Sequence, residues 1–149
     1  NKSTCLEVMK DKDLFIALLK GIFEILNSDL NLQALKCLLR SIILCEIDFI
    51  GMCIDELIRI FNKIIFELIK NPEDQFNYYL FETISLVIKK LEKSGKIDGI
   101  EYFNNGIEAL MTHIFENNIN DLLSYVIQII SLIITITKKM NNFQQVINL

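Results

Sequence analysis

Along most of the chain, apolar residues recur three and four positions apart, the spacing that places side chains on one face of an α-helix. The pattern is clearest where Ile50, Ile54, Leu57, Phe61, Ile64 and Leu68 form a stripe opposite Arg59, Asn62, Lys63 and Lys70, with Asp55 and Arg59 at i and i+4 as an oppositely charged pair. Two helices precede this one. The first, from about Asp13 to Asn27, carries Phe15, Leu18, Ile22 and Ile25; the second, from about Leu30 to Cys45, carries Leu32, Leu35, Leu38, Leu39, Ile42 and Ile43, with Lys36 and Arg40 on its polar side. Three helices follow. Phe76, Leu80, Ile84, Val87 and Leu91 mark a fourth over about Glu73 to Lys93, and Phe103, Ile107, Leu110, Met111 and Ile114 a fifth over about Asp98 to Asn117. The sixth, about Asn120 to Lys138, is apolar on most of its circumference through Leu122, Leu123, Val126, Ile127, Ile130, Ile133 and Ile134, as a helix packed on two sides would be.

Residues that stop or start helices lie between these stretches. The Asn27-Ser28-Asp29 cluster ends the first and offers caps for the second. Pro72 disfavours helical geometry at Asn71, then stands just ahead of the fourth helix, whose early Glu73 and Asp74 and late Lys89, Lys90 and Lys93 both suit the helix dipole. Ser94-Gly95-Lys96 and Asn117-Asn118 make the remaining breaks. Pairing neighbours gives three antiparallel hairpins, 13–46, 48–94 and 98–139, whose starts are about 40 residues apart, near the period of HEAT and armadillo arrays. The expected fold is therefore all-α, a single α-solenoid segment of HEAT-like hairpins over residues 1–149, with the start of a further helix at 141–149 through Phe143, Val146 and Ile147. A closed six-helix globule is the alternative that periodicity leaves open.

Composition sharpens this picture. The chain is 52% hydrophobic with a mean hydropathy of +0.37, and its single proline and five glycines leave little material for turns. The longest charge-free run, Leu122 to Thr137, contains Ser124, Gln128, Ser131, Thr135 and Thr137 and falls short of the about 20 apolar residues a membrane span needs, so no membrane insertion is expected. An array cut at both ends, with apolar faces exposed, explains the composition instead. The start, Asn1-Lys2-Ser3-Thr4-Cys5, shows neither a cleavable signal nor an initiating methionine and reads as a fragment of a longer protein. A net charge of −4 with mixed signs on every helix offers no basic stripe for nucleic acid.

Little in the chain can carry chemistry. Cys5, Cys37, Cys45 and Cys53 are never closer than eight residues apart, which argues against a metal clamp and for buried free thiols in a reducing compartment. His113 is the single histidine, a surface or boundary residue with no base or ligand partner nearby in sequence. Glu46 with Asp48, Asp55 with Glu56, and Glu73 with Asp74 fall at helix ends or on polar faces, where capping and solvation account for them. Gly21, Gly51, Gly95, Gly99 and Gly106 are scattered and form no phosphate-binding loop. Neither an enzyme nor a cofactor site is expected. The run Phe76-Asn77-Tyr78-Tyr79-Leu80-Phe81 is more notable, because one helix turn cannot hide four rings against a single neighbour: they fill both sides of a repeat junction, or one is exposed for a partner.

Asn71-Pro72, Phe76-Asn77, Tyr79 and Phe81-Glu82, followed by Tyr125-Val126, Gln128 and Ser131-Leu132, closely resemble the importin-α re-export receptors, the CAS exportins of the importin-β superfamily. Upstream, Leu35-Lys36 and Leu39-Arg40-Ser41 look like the preceding repeat of the same family. The likeness is good from about Ala34 to Leu132 and places the chain in the C-terminal half of a much longer receptor; it departs at Ser124, where the family often has proline, and over Leu44 to Asp48. It implies a scaffold that binds importin-α together with Ran-GTP, shuttles between nucleus and cytoplasm, can touch nucleoporins as a full-length protein, and itself performs no chemistry. In such folds the second helix of each hairpin usually faces the partners, which nominates Lys36, Arg40, Tyr78, Glu82, Lys89, Asp121 and Gln128 as protein-binding residues. A HEAT scaffold for a kinase, phosphatase or other cargo, and a self-contained bundle holding an apolar ligand against the isoleucine-rich sixth helix, are the competing readings.

Overall fold

The computed structural model describes the backbone of residues 7, 9–95 and 97–147, and the side chains of that set up to residue 139. Cys5, Lys96 and the side chains of Phe143, Val146 and Ile147 lie outside the described residues. The chain forms α1 (Lys12–Ser28), α2 (Leu32–Leu44), α3 (Phe49–Met52), α4 (Ile54–Lys70), α5 (Asp74–Lys93), α6 (Ile97–Glu116) and α7 (Asn120–Ile147), with no strand among the described residues.

Which helices touch decides between solenoid and globule. α1 packs on α2, α4 on α5 and α6 on α7, making three hairpins; α1 packs on α4 and α4 on α6 in one layer, while α2 packs on α5 and α5 on α7 in the other. The first and third hairpins share no packed helix pair among the described residues. Each repeat thus packs chiefly on its neighbours, the one-dimensional contact pattern of a HEAT-like array.

Local chemistry sets the helix ends. The Asp11 carboxylate accepts from the N–H groups of Asp13 and Leu14 at 3.0 and 3.2 Å and caps α1. α2 is capped by the Asn31 side chain, which accepts from the Ala34 N–H at 2.9 Å, and not by the Asn27-Ser28-Asp29 cluster, which only terminates α1. α6 closes as expected on its asparagines: Asn118 is left-handed at φ 53°, its N–H donates to the Phe115 carbonyl, and the next N–H, of Ile119, donates to the Ile114 carbonyl. Gly95, at φ 73°, ends α5 in the same left-handed turn.

Three expectations are corrected. The long helix read from Ile50 to Leu68 breaks at Cys53, where the backbone turns to ψ 13° and separates the single turn of α3 from α4. Ile50, Cys53 and Leu57 are all buried, so the three-four spacing runs straight through the break and conceals it. The further helix read at 141–149 does not start anew, because α7 continues unbroken to Ile147. Finally, Arg59 pairs with Glu56 at 2.6 Å and not with Asp55, whose carboxylate accepts the Tyr102 hydroxyl of α6.

The core is continuous across the repeats. α5 buries the widest face, including Phe76, Leu80, Phe81, Ile84, Val87, Ile88 and Leu91, because it has neighbours on both sides in its layer as well as its hairpin partner. α7, with a neighbour on one side only, buries Leu122, Val126, Ile129 and Ile136 and leaves Ile127, Ile130 and Ile134 exposed. The sixth helix does pack on two helices, α5 and α6, but its apolar circumference is buried only in part. Polar links reinforce the stack: the Asn62 amide of α4 donates to the Gly106 carbonyl of α6 at 2.7 Å, and Lys63 donates to the Asn27 carbonyl near the end of α1. In the other layer the Lys90 ammonium of α5 donates to the Ile43 and Cys45 carbonyls at 3.0 and 2.7 Å, placing a cation on the negative end of α2.

Candidate protein-binding face

The outer side of the layer formed by α2, α5 and α7 holds all seven residues nominated from the sequence. Tyr78, Glu82 and Lys89 are spaced by four and seven residues and share one exposed strip of α5; Arg40 is exposed on α2, and Asp121 and Gln128 are exposed on α7. Lys36 is half-buried, because its ammonium sits 5.0 Å from the centroid of the Tyr79 ring. Tyr79 in turn meets Tyr78 edge-to-face at 5.2 Å, so Lys36 and Tyr78, one repeat apart, are joined through a third side chain. No ion pair links Arg40 to Glu82 among the described residues.

The aromatic run resolves into separate tasks. Phe76 is fully buried, and Phe81 stacks on Tyr125 of α7 at 5.2 Å with rings only 9° from parallel. Tyr79 reaches towards α2 through Lys36, whereas Tyr78 is 47% exposed. The rings of Phe76, Tyr79 and Phe81 thus pack within and between repeats, and Tyr78 is the ring of the run left exposed. Asn77, between them, is buried with both side-chain polar atoms unpartnered, at a cost of about 1–3 kcal/mol.

Two features of the surface went unnoticed in the sequence. A groove at the late ends of α5 and α7 is floored by Leu86, Leu132 and Ile136 and rimmed by Lys89, Lys93 and Lys139. Lys89 was nominated singly and Lys93 was legible only as a dipole partner, and nothing local connects them with Lys139, 46 or more residues away. On the other layer, exposed Phe66 carries the Lys70 ammonium 4.1 Å from its ring centroid and lines a shallow groove with Ile69, Ala109, Leu110 and His113.

The titratable groups behave as parts of a scaffold. Burial pushes the Cys53 thiol up to about 12, and burial also raises Cys45 against the lowering influence of the nearby Lys90 ammonium. Cys37 is exposed, which corrects the expectation that the thiols are uniformly buried. The hydrogen bond that Tyr102 donates to Asp55 raises its phenol. His113 is exposed and lies 3.2 Å from the Asn117 amide. No cluster of His, Cys, Asp and Glu that could hold a metal occurs among the described residues.

The membrane question also takes a different form in the structure. Counted as a helix, Asn120–Lys139 is 20 residues long with a mean hydropathy of 1.5, long and apolar enough to cross a bilayer, and 22% of its apolar window is buried. Leu122, Val126, Ile129 and Ile136 are buried in the helix, whereas Ile127, Ile130 and Ile134 are exposed.

The family model described as "CAS/CSE protein, C-terminus" matches residues 8–149. Among curated relatives, a protein named Importin-alpha re-exporter from Schizosaccharomyces pombe is 29% identical over 68% of this chain, and 10% of its own length is covered. Proteins named Exportin-2 from Danio rerio and Drosophila melanogaster are 30% and 27% identical over 80% and 78% of the chain, with 12% of each relative covered. The chain thus spans about a tenth of the length of the curated relatives it matches. No solved structure matches it. With the family model covering all but the first seven residues of a stacked-hairpin array, the chain belongs to the CAS/CSE family, within its C-terminal region.

Proposed function

We propose that this chain is a repeat segment of a nuclear export receptor that carries importin-α back to the cytoplasm in complex with Ran-GTP, shuttling between the two compartments and acting as a protein-binding scaffold without chemistry of its own. The match to the CAS/CSE C-terminal region carries the reading, supported by relatives named for importin-α re-export. The array supports it physically. Hairpins that pack chiefly on their neighbours let small rotations at each junction add up along a long receptor, opening or closing it around its ligands.

In this reading the layer of α2, α5 and α7 meets the partners through Lys36, Arg40, Tyr78, Glu82, Lys89, Asp121 and Gln128. Exposed Tyr78, braced by Tyr79 and Lys36, is the ring best placed to enter a partner's surface. The exposed isoleucines of α7 belong under the next hairpin of the longer protein, and not in a bilayer or around a small apolar ligand. Nucleoporins are further partners of the full-length receptor; nucleic acid is not a partner.

The test is capture of importin-α by the full-length protein with and without Ran locked in its GTP state. Capture that requires Ran-GTP, and that weakens when Arg40→Glu and Glu82→Lys are introduced together, is the expected result. Capture in neither state overturns the export reading and leaves a HEAT scaffold for other cargo; capture unchanged by the two reversals overturns the assignment of the face.

A further inference from the structure

The groove at the late ends of α5 and α7 combines two properties that the rest of the layer keeps apart. Its floor is apolar and spans two repeats: Leu86 and Leu132 are half-buried and Ile136 is buried, while Ile43, at the end of α2, lines the same groove with about half its surface exposed. Its rim is cationic. Lys89 and Lys93 stand on α5, one helical turn apart, and Lys139 on α7; all three are exposed, while Glu92 supplies a single opposing charge. Lys90 lies in the same wall, but its ammonium is committed to the Ile43 and Cys45 carbonyls. A gathering of lysines runs against the composition of the chain, which carries a net charge of −4.

We infer that this groove is a docking site for an acidic segment of a partner protein, one that lays apolar side chains on Leu86, Leu132 and Ile136 and sets carboxylates against Lys89, Lys93 and Lys139. Charge complementarity selects the occupant. An apolar floor alone would accept any greasy segment, whereas cations on both walls reject basic ones and draw acidic ones in from solution. A protein segment suits a groove in which half-buried Leu86 and Leu132 and buried Ile136 lie among exposed lysines of two helices. Because the groove draws on two helices of neighbouring repeats, any change in the angle between α5 and α7 alters the distance from Lys89 to Lys139, so the site reports repeat geometry as well as occupancy. The inference deepens the proposed function: it rests on the α2, α5 and α7 layer being the partner face and adds the chemistry of what binds at one end of it.

Fluorescence anisotropy with three labelled peptides of one length tests it against the 149-residue chain: leucine with glutamate, leucine with glutamine, and leucine with lysine. The acidic peptide is expected to bind, to weaken as salt is raised, and to lose about tenfold in affinity to the Lys89→Glu, Lys93→Glu, Lys139→Glu triple variant, with circular dichroism confirming that the exposed substitutions leave the helices intact. The glutamine and lysine peptides are expected to bind much more weakly. Equal binding of all three peptides, or an unchanged affinity in the triple variant, overturns the inference; so does tighter, lysine-dependent binding to vesicles of phosphatidylcholine and phosphatidylserine than to the acidic peptide. If the variant chain does not fold, the single Lys139→Glu change with the same readout decides the matter. Importin-α capture by the full-length protein carrying Arg40→Glu and Glu82→Lys, both outside the groove, separates the two proposals: its loss with no peptide binding leaves the partner face standing without this site.

Discussion

At the scale of single residues, the thiols separate cleanly by environment. Cys53 has 8% of its surface exposed and a pKa pushed up to about 12 by burial, whereas Cys37 is exposed on α2. Alkylation at about pH 8, mapped peptide by peptide, is therefore expected to modify Cys37 while Cys45 and Cys53 stay protected until the chain unfolds; labelling of Cys53 at the rate of Cys37 would show that the α3–α4 junction is not packed as described. The same shift fixes a pH dependence. The neutral thiol is the form the fold stabilises, so its contribution is complete below the unfolded value near 9.0 and is lost as pH rises through about 12. Between about pH 8 and pH 10.5, the wild-type chain is expected to lose more stability in urea titrations than Cys53→Ala does; equal losses would contradict the assignment. Burial of this kind was legible for Cys45 and Cys53 from their place in apolar stretches, but the exposure of Cys37 was not, because it lies one residue from the buried Leu38 and only the rotation of α2 decides which of the two faces out.

At the scale of helices, Gly106 sets how closely α4 and α6 approach. A Cβ there would stand 2.7 Å from two atoms of the Ile58 side chain, and both belong to a branched side chain with little freedom to move. The carbonyl of the same glycine accepts the Asn62 amide, so the two helices are held at the point where they come closest. Gly21 on α1 offers the opposite case, with nothing within 4 Å of its would-be Cβ. Helix propensity alone predicts that alanine stabilises at both positions by about 1 kcal/mol. The geometry predicts opposite signs: Gly21→Ala raises stability by about 0.5–1 kcal/mol, while Gly106→Ala lowers it by about 1–2 kcal/mol, because separating the helices costs more than the propensity gain. Urea midpoints of the two variants check this, and stabilisation by Gly106→Ala would mean that α4 and α6 can part without cost. Neither glycine looks different in the sequence, since each stands in the interior of a helical pattern and the discriminating atom belongs to a residue 48 positions away from Gly106.

At the scale of the whole molecule, the array leaves an end uncovered. Ile127, Ile130 and Ile134 are 46%, 38% and 51% exposed on α7, where Ile130 and Ile134 line an open groove with Met111 and Phe115 of α6, while Leu14 and Ile25 are exposed on α1. A contiguous apolar face of this kind drives association in water. The 149-residue chain is expected to self-associate, and replacing Ile127, Ile130 and Ile134 together by serine is expected to shift it towards monomer with its helix content unchanged, as read by light scattering and circular dichroism; a wild-type chain that is already monomeric at the same concentration would argue that α7 needs no neighbour.

Periodicity by itself determined that the chain is helical, roughly where each helix lies and that the helices pair into hairpins, because the three-four spacing and the capping residues act over a few positions and need no partner to be read. Separately from periodicity, short runs such as Phe76-Asn77 and Phe81-Glu82 carried the family resemblance. Periodicity could not place the break at Cys53, since the apolar register passes through it unchanged, nor the continuation of α7 past Lys138, since a polar stretch can end a helix or simply be the solvated turns of a longer one. Only the tertiary structure decided that the hairpins stack as an array, that Asp55 turns from Arg59 to Tyr102, and that Lys89 and Lys93 meet Lys139 around a single groove. The reason is the same in each case: these outcomes depend on which face of one helix meets which face of another across more than forty residues, and that information resides in the packing of whole faces and not in any local run of the chain.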